Sequence, residues 1–495
     1  MKILKGLERS RQFWFAIFTS FLFFILRLPS LFEPLWYGDE GVYQVIGTSL
    51  SHGKLLYKEI FDNKPPLLYW LYSLLHSDQF TIRLISAIFG IASVIMFFFL
   101  AKKLFENAKN NNLAFLTTFI FAILFGLPTL EGNIANAENF MLLPILVAAL
   151  LISNLKSSRL SGIPQAAGQI SNLKLFITGL LLGIAFLFKI VAVFDLSAFI
   201  VFYFILNFDS LKKEFKLSKI IAGFFLPVFL VILFFILNGT FIDFIKATFI
   251  SNISYVSYAN KIGAFPILLF VKLFVLGIFL TYLFAKRKKL NQTPLFILIW
   301  LAFSLFNAFF SQRPYTHYLL VLIPSLSLMI GLILFDKKNQ KTIAVLLIIA
   351  LLTITKTFGI PNFGKSVSYY QNFISYIEDK KTTAQYQAFF DSKTPFDYEM
   401  ARFIKPKLSG NDTIFIWGNN AQLYQLVGVV APTKYVVVYH ISNYRDGQAT
   451  TQTALKKTKP KFIVVMPNSG SIPFSLTNYS EEININDALI YERIF

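Results

Sequence analysis

Residues 174–207 read KLFITGLLLGIAFLFKIVAVFDLSAFIVFYFILN. They form either one long apolar helix or a tight hairpin of two, and the choice decides the topology of the whole chain. A single helix would put the loop with Lys212, Lys213, Lys216 and Lys219 on the opposite side from the earlier lysine-rich loops and invert every later loop with it. A hairpin keeps those loops together and places Lys189 near its outer turn. Outward from this hairpin, further apolar runs predict spans near 13–30, 80–100, 113–129, 138–154, 220–238, 264–284, 295–310, 319–335 and 342–357, about eleven crossings in all. The connecting segments alternate in charge. One set holds Lys2, Lys5, Arg9 and Arg11; Lys102, Lys103 and Lys109; Lys156 and Arg159; the four lysines of 212–219; Lys286, Arg287, Lys288 and Lys289; and Lys337, Lys338 and Lys341. By the positive-inside rule this set is cytoplasmic. The N-terminus is therefore expected inside and the C-terminus outside, in a multi-pass protein of the plasma membrane. Arg27-Leu28-Pro29 closes the first span, with no small-residue cleavage pattern after it, so that span reads as a helix and not as a cleaved signal.

Composition agrees. Of 495 residues, 55% are hydrophobic and 15% charged, where a soluble protein carries about a quarter charged residues. Phenylalanine, with 58 copies, fills the difference. The absence of cysteine excludes disulfides, thiolate-bound zinc and iron–sulfur clusters, and thiol catalysis. Four histidines argue against a histidine-rich metal site. The net charge of +20 sits in short clusters between apolar runs, which is the pattern of membrane orientation and not of nucleic-acid binding.

Two segments are too polar to span. Residues 31–79 form a long first outer loop, and residues 358–495 an outer tail beyond a membrane domain of 1–357. The tail mixes helical patterns with β-rich runs at 413–417, 435–439 and 462–466, predicting a small α/β domain. It shows no evident acid–base or phosphate-binding constellation, so acceptor selection or stability is the expected role.

The outer loop holds most of the chemistry-bearing residues. Residues 35–75 read LWYGDEGVYQVIGTSLSHGKLLYKEIFDNKPPLLYWLYSLL. Val42, Val45, Ile46 and Leu50 share a helical face, predicting an amphipathic helix over 41–51 lying on the membrane and ended by Gly53. A second short helix should start at Pro65-Pro66. Lys64 precedes a proline, which holds its backbone extended. Asp39 and Glu40 follow the first span, where a carboxylate suits a general base for a hydroxyl. On spacing alone the plainer reading stands: an acidic pair favoured by a helix N-terminus, and a lysine on lipid phosphates.

The run GDEGVYQ…LSHGKLLYKEIFDNKPPLLYWL resembles the first outer loop of the GT-C glycosyltransferases, in the branch of protein O-mannosyltransferase-like enzymes and lipid A aminoarabinose transferases. The resemblance rests on the Asp39-Glu40 pair, the Gly53-x-x-x-Tyr57 spacing and Asp62-x-Lys64-Pro65-Pro66, in that order. GLLLGIAFLFK at 179–189 and SQRPYTHYLLVLIPSLSL at 311–328 resemble later parts of the same family. The resemblance implies an α-helical polytopic membrane protein that moves a sugar from a polyprenyl phosphate to a hydroxyl of a lipid, glycan or protein at the outer face, with inversion. It makes Asp39 the base or the group that orients the acceptor, with Glu40 in support, and Lys64 the holder of the donor phosphate, a task that Arg313 and His317 would share unless they are interfacial anchors. Tyr43, Tyr57, Asp62, Glu138 and Tyr318 are candidate substrate contacts. Tyr318 reads equally as a belt aromatic, Glu138 as a capping residue, and Lys189 with Asp195 as an ion pair inside the bundle. The chain lacks the Trp-Trp-Asp run of oligosaccharyltransferases. It also lacks an Asp-x-Asp in the first loop, so no metal or other cofactor is expected. The rival classes are a polytopic lipid or polysaccharide transporter, which would set its polar site at mid-membrane on broken helices, and a glycan ligase or polymerase, which would use a late outer loop.

Overall fold

The computed structural model describes residues 2–106, 112–153, 172–208, 216–252, 265–311, 315–336, 338, 340–359, 363–485 and 487–494. The chain forms two compact units. One comprises residues 1–28, 85–233 and 253–366, the other 29–84, 234–252 and 367–495. This grouping differs from a division at 357: the first outer loop and the tail belong to a single unit.

Among the described residues, eight helices are long and apolar enough to cross a membrane, and Leu113–Gly126, Ala137–Ser153 and Asn172–Phe188 are shorter apolar helices. Together they match the eleven predicted spans one for one. The deciding stretch is two helices: Lys189 adopts an extended backbone (φ −155°, ψ 126°), a 3-10 turn covers Ile190–Ala192, and the next helix runs Val193–Asn207. Close packing in the first unit follows from glycine placement. A Cβ on Gly179 or Gly183 would strike the Ile220 or Phe224 carbonyl oxygen of helix Leu217–Leu237, and one on Gly223 would strike that of Phe176. Small residues four apart thus let two backbones approach where hydrophobic burial gives no drive. Asp195 does not pair with Lys189: its Oδ1 accepts from Trp300 Nε1 at 2.8 Å.

In the second unit, helix Gly38–Ser51 begins three residues ahead of the predicted 41–51. It does not lie on a surface. Val42, Tyr43, Val45, Ile46, Gly47 and Ser49 are all buried, because it packs against helices Pro66–Leu74 and Gln422–Val427. Gly41 permits the second contact, since a Cβ there would sit 2.8 Å from the Gln422 backbone nitrogen. Gly53, at φ +83°, follows the helix in the left-handed conformation that stops it. Pro65 caps helix Pro66–Leu74, as the Pro-Pro pair predicts.

The tail holds a four-stranded sheet. Strands β1 (Ile414–Trp417), β2 (Phe462–Val465), β3 (Tyr479–Ile485) and β4 (Ala488–Arg493) lie in the order β1-β2-β4-β3. β1 and β2 are parallel, with Ile414 opposite Phe462, and β3 and β4 form an antiparallel hairpin. The predicted strand at 435–439 is absent: its last residues open helix Val438–Asn443.

Candidate active site

The first outer loop and the tail build one polar cluster inside the second unit. Asp39 stands in the first turn of helix Gly38–Ser51, where Tyr43, one turn on, donates its hydroxyl to Oδ2 at 3.0 Å. The same oxygen lies 3.6 Å from Lys64 Nζ. Lys64 Nζ is also 3.5 Å from Asp62 Oδ2 and 4.7 Å from the centre of the Tyr43 ring. The side chain of Asp39 is 49% exposed and that of Lys64 20%, so both can meet a substrate.

The backbone of Lys64 is fixed at each end. Its N–H donates to Tyr69 Oη at 3.2 Å, and its carbonyl accepts from Tyr57 Oη at 2.7 Å. Tyr57 itself is held at φ +67°, a strained setting for a bulky residue, with its N–H bonded to the Ile60 carbonyl at 2.7 Å. The Gly-x-x-x-Tyr and Asp-x-Lys-Pro-Pro spacings therefore serve one end, the immobilisation of a single ammonium group.

Asp62 is buried and accepts from Tyr69 Oη at 2.6 Å. Burial would raise its carboxyl, but Lys64, His440 and the Tyr69 hydroxyl outweigh burial and hold it below the ordinary carboxylate range. His440 comes from the tail, with Nε2 3.7 Å from Asp62 Oδ1. Burial lowers the His440 imidazole against the pull of that carboxylate. The tail thus brings one titratable side chain, His440, beside the loop cluster. Burial and the neighbouring carboxylates push the Tyr43 and Tyr69 phenols well above their ordinary value, so both remain hydrogen-bond donors.

The acidic pair divides its work. Glu40 is buried and grips Arg83 through two contacts, Nε at 3.1 Å and NH2 at 2.5 Å. Glu33 pairs with the same guanidinium at 2.9 Å and accepts from Tyr369 at 2.5 Å. Adjacent residues on a helix point in different directions. Asp39 thus meets the lysine while Glu40 faces the buried arginine.

The first unit holds a second polar cluster. Glu138, buried at the start of helix Ala137–Ser153, pairs with Lys189, whose ammonium lies 4.6 Å from the centre of the Tyr318 ring. His317 places Nδ1 3.0 Å from Glu131 and Nε2 4.0 Å from Glu138. The predicted His317, Glu138 and Tyr318 are thus brought together, joined by Glu131 and Lys189. Arg313 lies outside the described residues. Sequence reasoning missed Tyr69, Arg83, Glu33, Glu131 and His440 as parts of these clusters; of these, only Tyr69 sits inside the motif-bearing run.

Residues 63–235 match the family model described as dolichyl-phosphate-mannose-protein mannosyltransferase. No curated protein sequence matches the chain. Among solved structures, ArnT from Cupriavidus metallidurans bound to undecaprenyl phosphate is similar over 96% of this chain and 97% of that one, at 13% identity and a TM-score of 0.57. A looser likeness, TM-score 0.44 at 12% identity, links 92% of this chain to 69% of the Archaeoglobus fulgidus oligosaccharyltransferase AglB, solved with an inhibitory peptide and a dolichol-phosphate. The ArnT-like course of the whole chain gives this protein the GT-C fold, and the family model matches about a third of it, from the first outer loop into helix Leu217–Leu237.

Proposed function

We propose that the protein moves a sugar from a polyprenyl-phosphate donor to a hydroxyl of a lipid, glycan or protein at the outer face of the membrane, inverting the anomeric carbon. The observation that carries this reading is the placement of Lys64: an ammonium on an immobilised backbone, within 3.6 Å of a half-exposed carboxylate. The donor phosphate takes over the lysine that Asp39 and Asp62 otherwise share. The acceptor oxygen then attacks the anomeric carbon opposite the phosphate. As that bond forms, the hydroxyl proton passes to Asp39. The bond from carbon to phosphate oxygen breaks with its electron pair on the phosphate, which changes from a diester to a more charged monoester. Lys64 stabilises that charge as it develops. Asp39 needs no shifted acidity, because the hydroxyl proton becomes acidic only late in the step. Glu40 and Arg83 hold the turn that carries Asp39, and no metal ion takes part. ArnT, of the same fold, was solved with a polyprenyl phosphate, which supports the donor class.

The lysine-rich loops put the N-terminus in the cytoplasm and the tail outside. A reporter active only outside the cytoplasm should work when fused after the tail and stay silent after Lys289; the reverse would place the site on the wrong side. Lys64→Ala should weaken binding of undecaprenyl phosphate about 10–150-fold, the worth of one charge-assisted contact. Unchanged affinity removes Lys64 from the donor site. Deleting the gene and comparing surface glycans and lipids by mass spectrometry would then identify the sugar and the acceptor.

A further inference from the structure

His440 sits on the tail helix Val438–Asn443, and its ring is enclosed by Phe61, Tyr435, Tyr439 and Tyr444. An aromatic hydrocarbon would fill that space as well. A histidine there carries a cost, because Nδ1 is buried and finds no hydrogen-bond partner among the described residues. With Nδ1 an unpaired acceptor, the ring proton belongs on Nε2, which faces Asp62 Oδ1 at 3.7 Å. Asp62 divides its oxygens: Oδ2 takes the Tyr69 hydroxyl at 2.6 Å and stands 3.5 Å from Lys64, while Oδ1 is left to His440. A carboxylate held by only one oxygen can turn about its terminal bond. At 3.7 Å the Nε2–H is beyond hydrogen-bond length, but its dipole faces Oδ1 from a ring fixed by four aromatic neighbours, which biases the carboxylate against turning, and Lys64 rests on that carboxylate.

We propose that His440 is a positioning residue for the donor: it fixes the Asp62 carboxylate, and through it the Lys64 ammonium, so that a residue of the tail sets the grip on the donor phosphate. The proposal rests on the reading of Lys64 as the phosphate ligand. His440 touches neither donor nor acceptor, so its effect falls on donor affinity and not on turnover at saturating donor. The other carboxylate beside this assembly, Asp39, meets Lys64 directly and needs no relay through the histidine; the neighbouring ionisable groups are otherwise phenols, Tyr43 and Tyr69 at the carboxylates and Tyr435, Tyr439 and Tyr444 at the ring.

The test uses the full-length protein in detergent, with undecaprenyl phosphate as the binding probe. His440→Phe keeps an aromatic ring and removes the donor; His440→Gln loses the ring and keeps an N–H near the Nε2 position. His440→Phe should weaken binding about 2–10-fold, and His440→Gln should stay within about twofold of the unsubstituted protein. In a Lys64→Ala background, His440→Phe should add nothing further. If His440→Phe does not fold, His440→Met, flexible and without a donor, takes its place. Normal binding by folded His440→Phe, alongside weakened Lys64→Ala, overturns the proposal and leaves the lysine assignment standing. Normal binding by Lys64→Ala overturns both. Equal losses in the Phe and Gln variants, additive losses with Lys64→Ala, or a fall in saturated turnover without a change in affinity each overturn it as well.

Discussion

Asp39→Asn separates the two tasks proposed for the Lys64 cluster. The amide keeps the shape of the side chain and can still accept from Tyr43, which donates at 3.0 Å. It cannot take a proton, so turnover should fall about 10²–10⁴-fold, the usual worth of a general base. Donor binding should move the other way. Asp39 and Lys64 lie 3.6 Å apart, but the Asp39 side chain is 49% exposed, so solvent screens the pair to about 0.2–1 kcal/mol. Removing that competitor for the ammonium leaves donor affinity unchanged or raises it by up to about fivefold. Turnover is followed as release of polyprenyl phosphate from lipid-linked donor extracted from source membranes, and affinity with undecaprenyl phosphate alone. Transfer at the normal rate refutes the base. A tenfold loss of donor affinity refutes it differently, by making Asp39 a donor ligand. The same assay in EDTA should show unchanged turnover of the unsubstituted enzyme; loss restored by manganese or magnesium would recast Asp39 as a metal ligand.

Arg83→Met leaves Glu33 and Glu40 buried without the cation they share, at a cost of about 3–5 kcal/mol, whereas Glu40→Gln keeps an acceptor for Arg83 and costs about 1 kcal/mol. Thermal unfolding in detergent should show a large drop for the first and a small one for the second. A loss of turnover in stable Glu40→Gln as deep as that of Asp39→Asn would return Glu40 to the chemistry. In the tail, burial raises Asp397 from 3.8 to about 6, against hydrogen bonds from Asn420 and Gln422. The folded state therefore binds that proton more tightly than the unfolded chain. Stability from this group is greatest below pH 4 and declines as pH rises from about 4 to about 6, by about 3 kcal/mol at most. His440, lowered by burial, acts in the opposite sense as pH falls through its range, so the measurement is the difference between the unsubstituted protein and Asp397→Asn. Parallel melting-temperature curves between pH 4 and 7 would remove Asp397 from the account.

The spans were legible because membrane crossing imposes a length and a polarity that single segments display. The break at Lys189 was legible because loop charge forbids the alternative. The Asp39, Asp62 and Lys64 grouping was legible in part, since a pre-proline lysine and a tyrosine after a helix-ending glycine are local signals. What joins them was not. Arg83, on helix Gln79–Leu104, meets Glu33 and Glu40 only through tertiary packing, and His440 arrives from the far end of the chain. The hairpin Tyr479–Ile485 and Ala488–Arg493 escaped notice because Glu481, Glu482, Asn484 and Asp487 make it read as polar loop. The run at 435–439 misled for the opposite reason. Val436 and Val437 are buried by side-chain packing, while the N–H of Val438 goes to the Gly418 carbonyl at 3.0 Å instead of a strand partner.

The division within the Asp39-Glu40 pair follows from helix geometry and has a chemical consequence. Consecutive residues on a helix point about 100° apart, so a carboxylate that reaches the Lys64 ammonium obliges its neighbour to face elsewhere. In this chain it faces a fully buried arginine. A buried charge pair adds little to stability over an apolar pair, but it cannot slide without exposing an uncompensated charge. That property suits a helix turn that must keep a half-exposed carboxylate at a fixed distance from a cation. Tyr43 orients Asp39 from one turn further along, and Tyr57 with Tyr69 fixes Lys64 from its backbone. Asp39 and Lys64 are thus mobile mainly at their tips, where the proposed donor phosphate separates the two by taking the lysine. In the proposed mechanism, the base is released for the acceptor hydroxyl in the same event that fills the donor site.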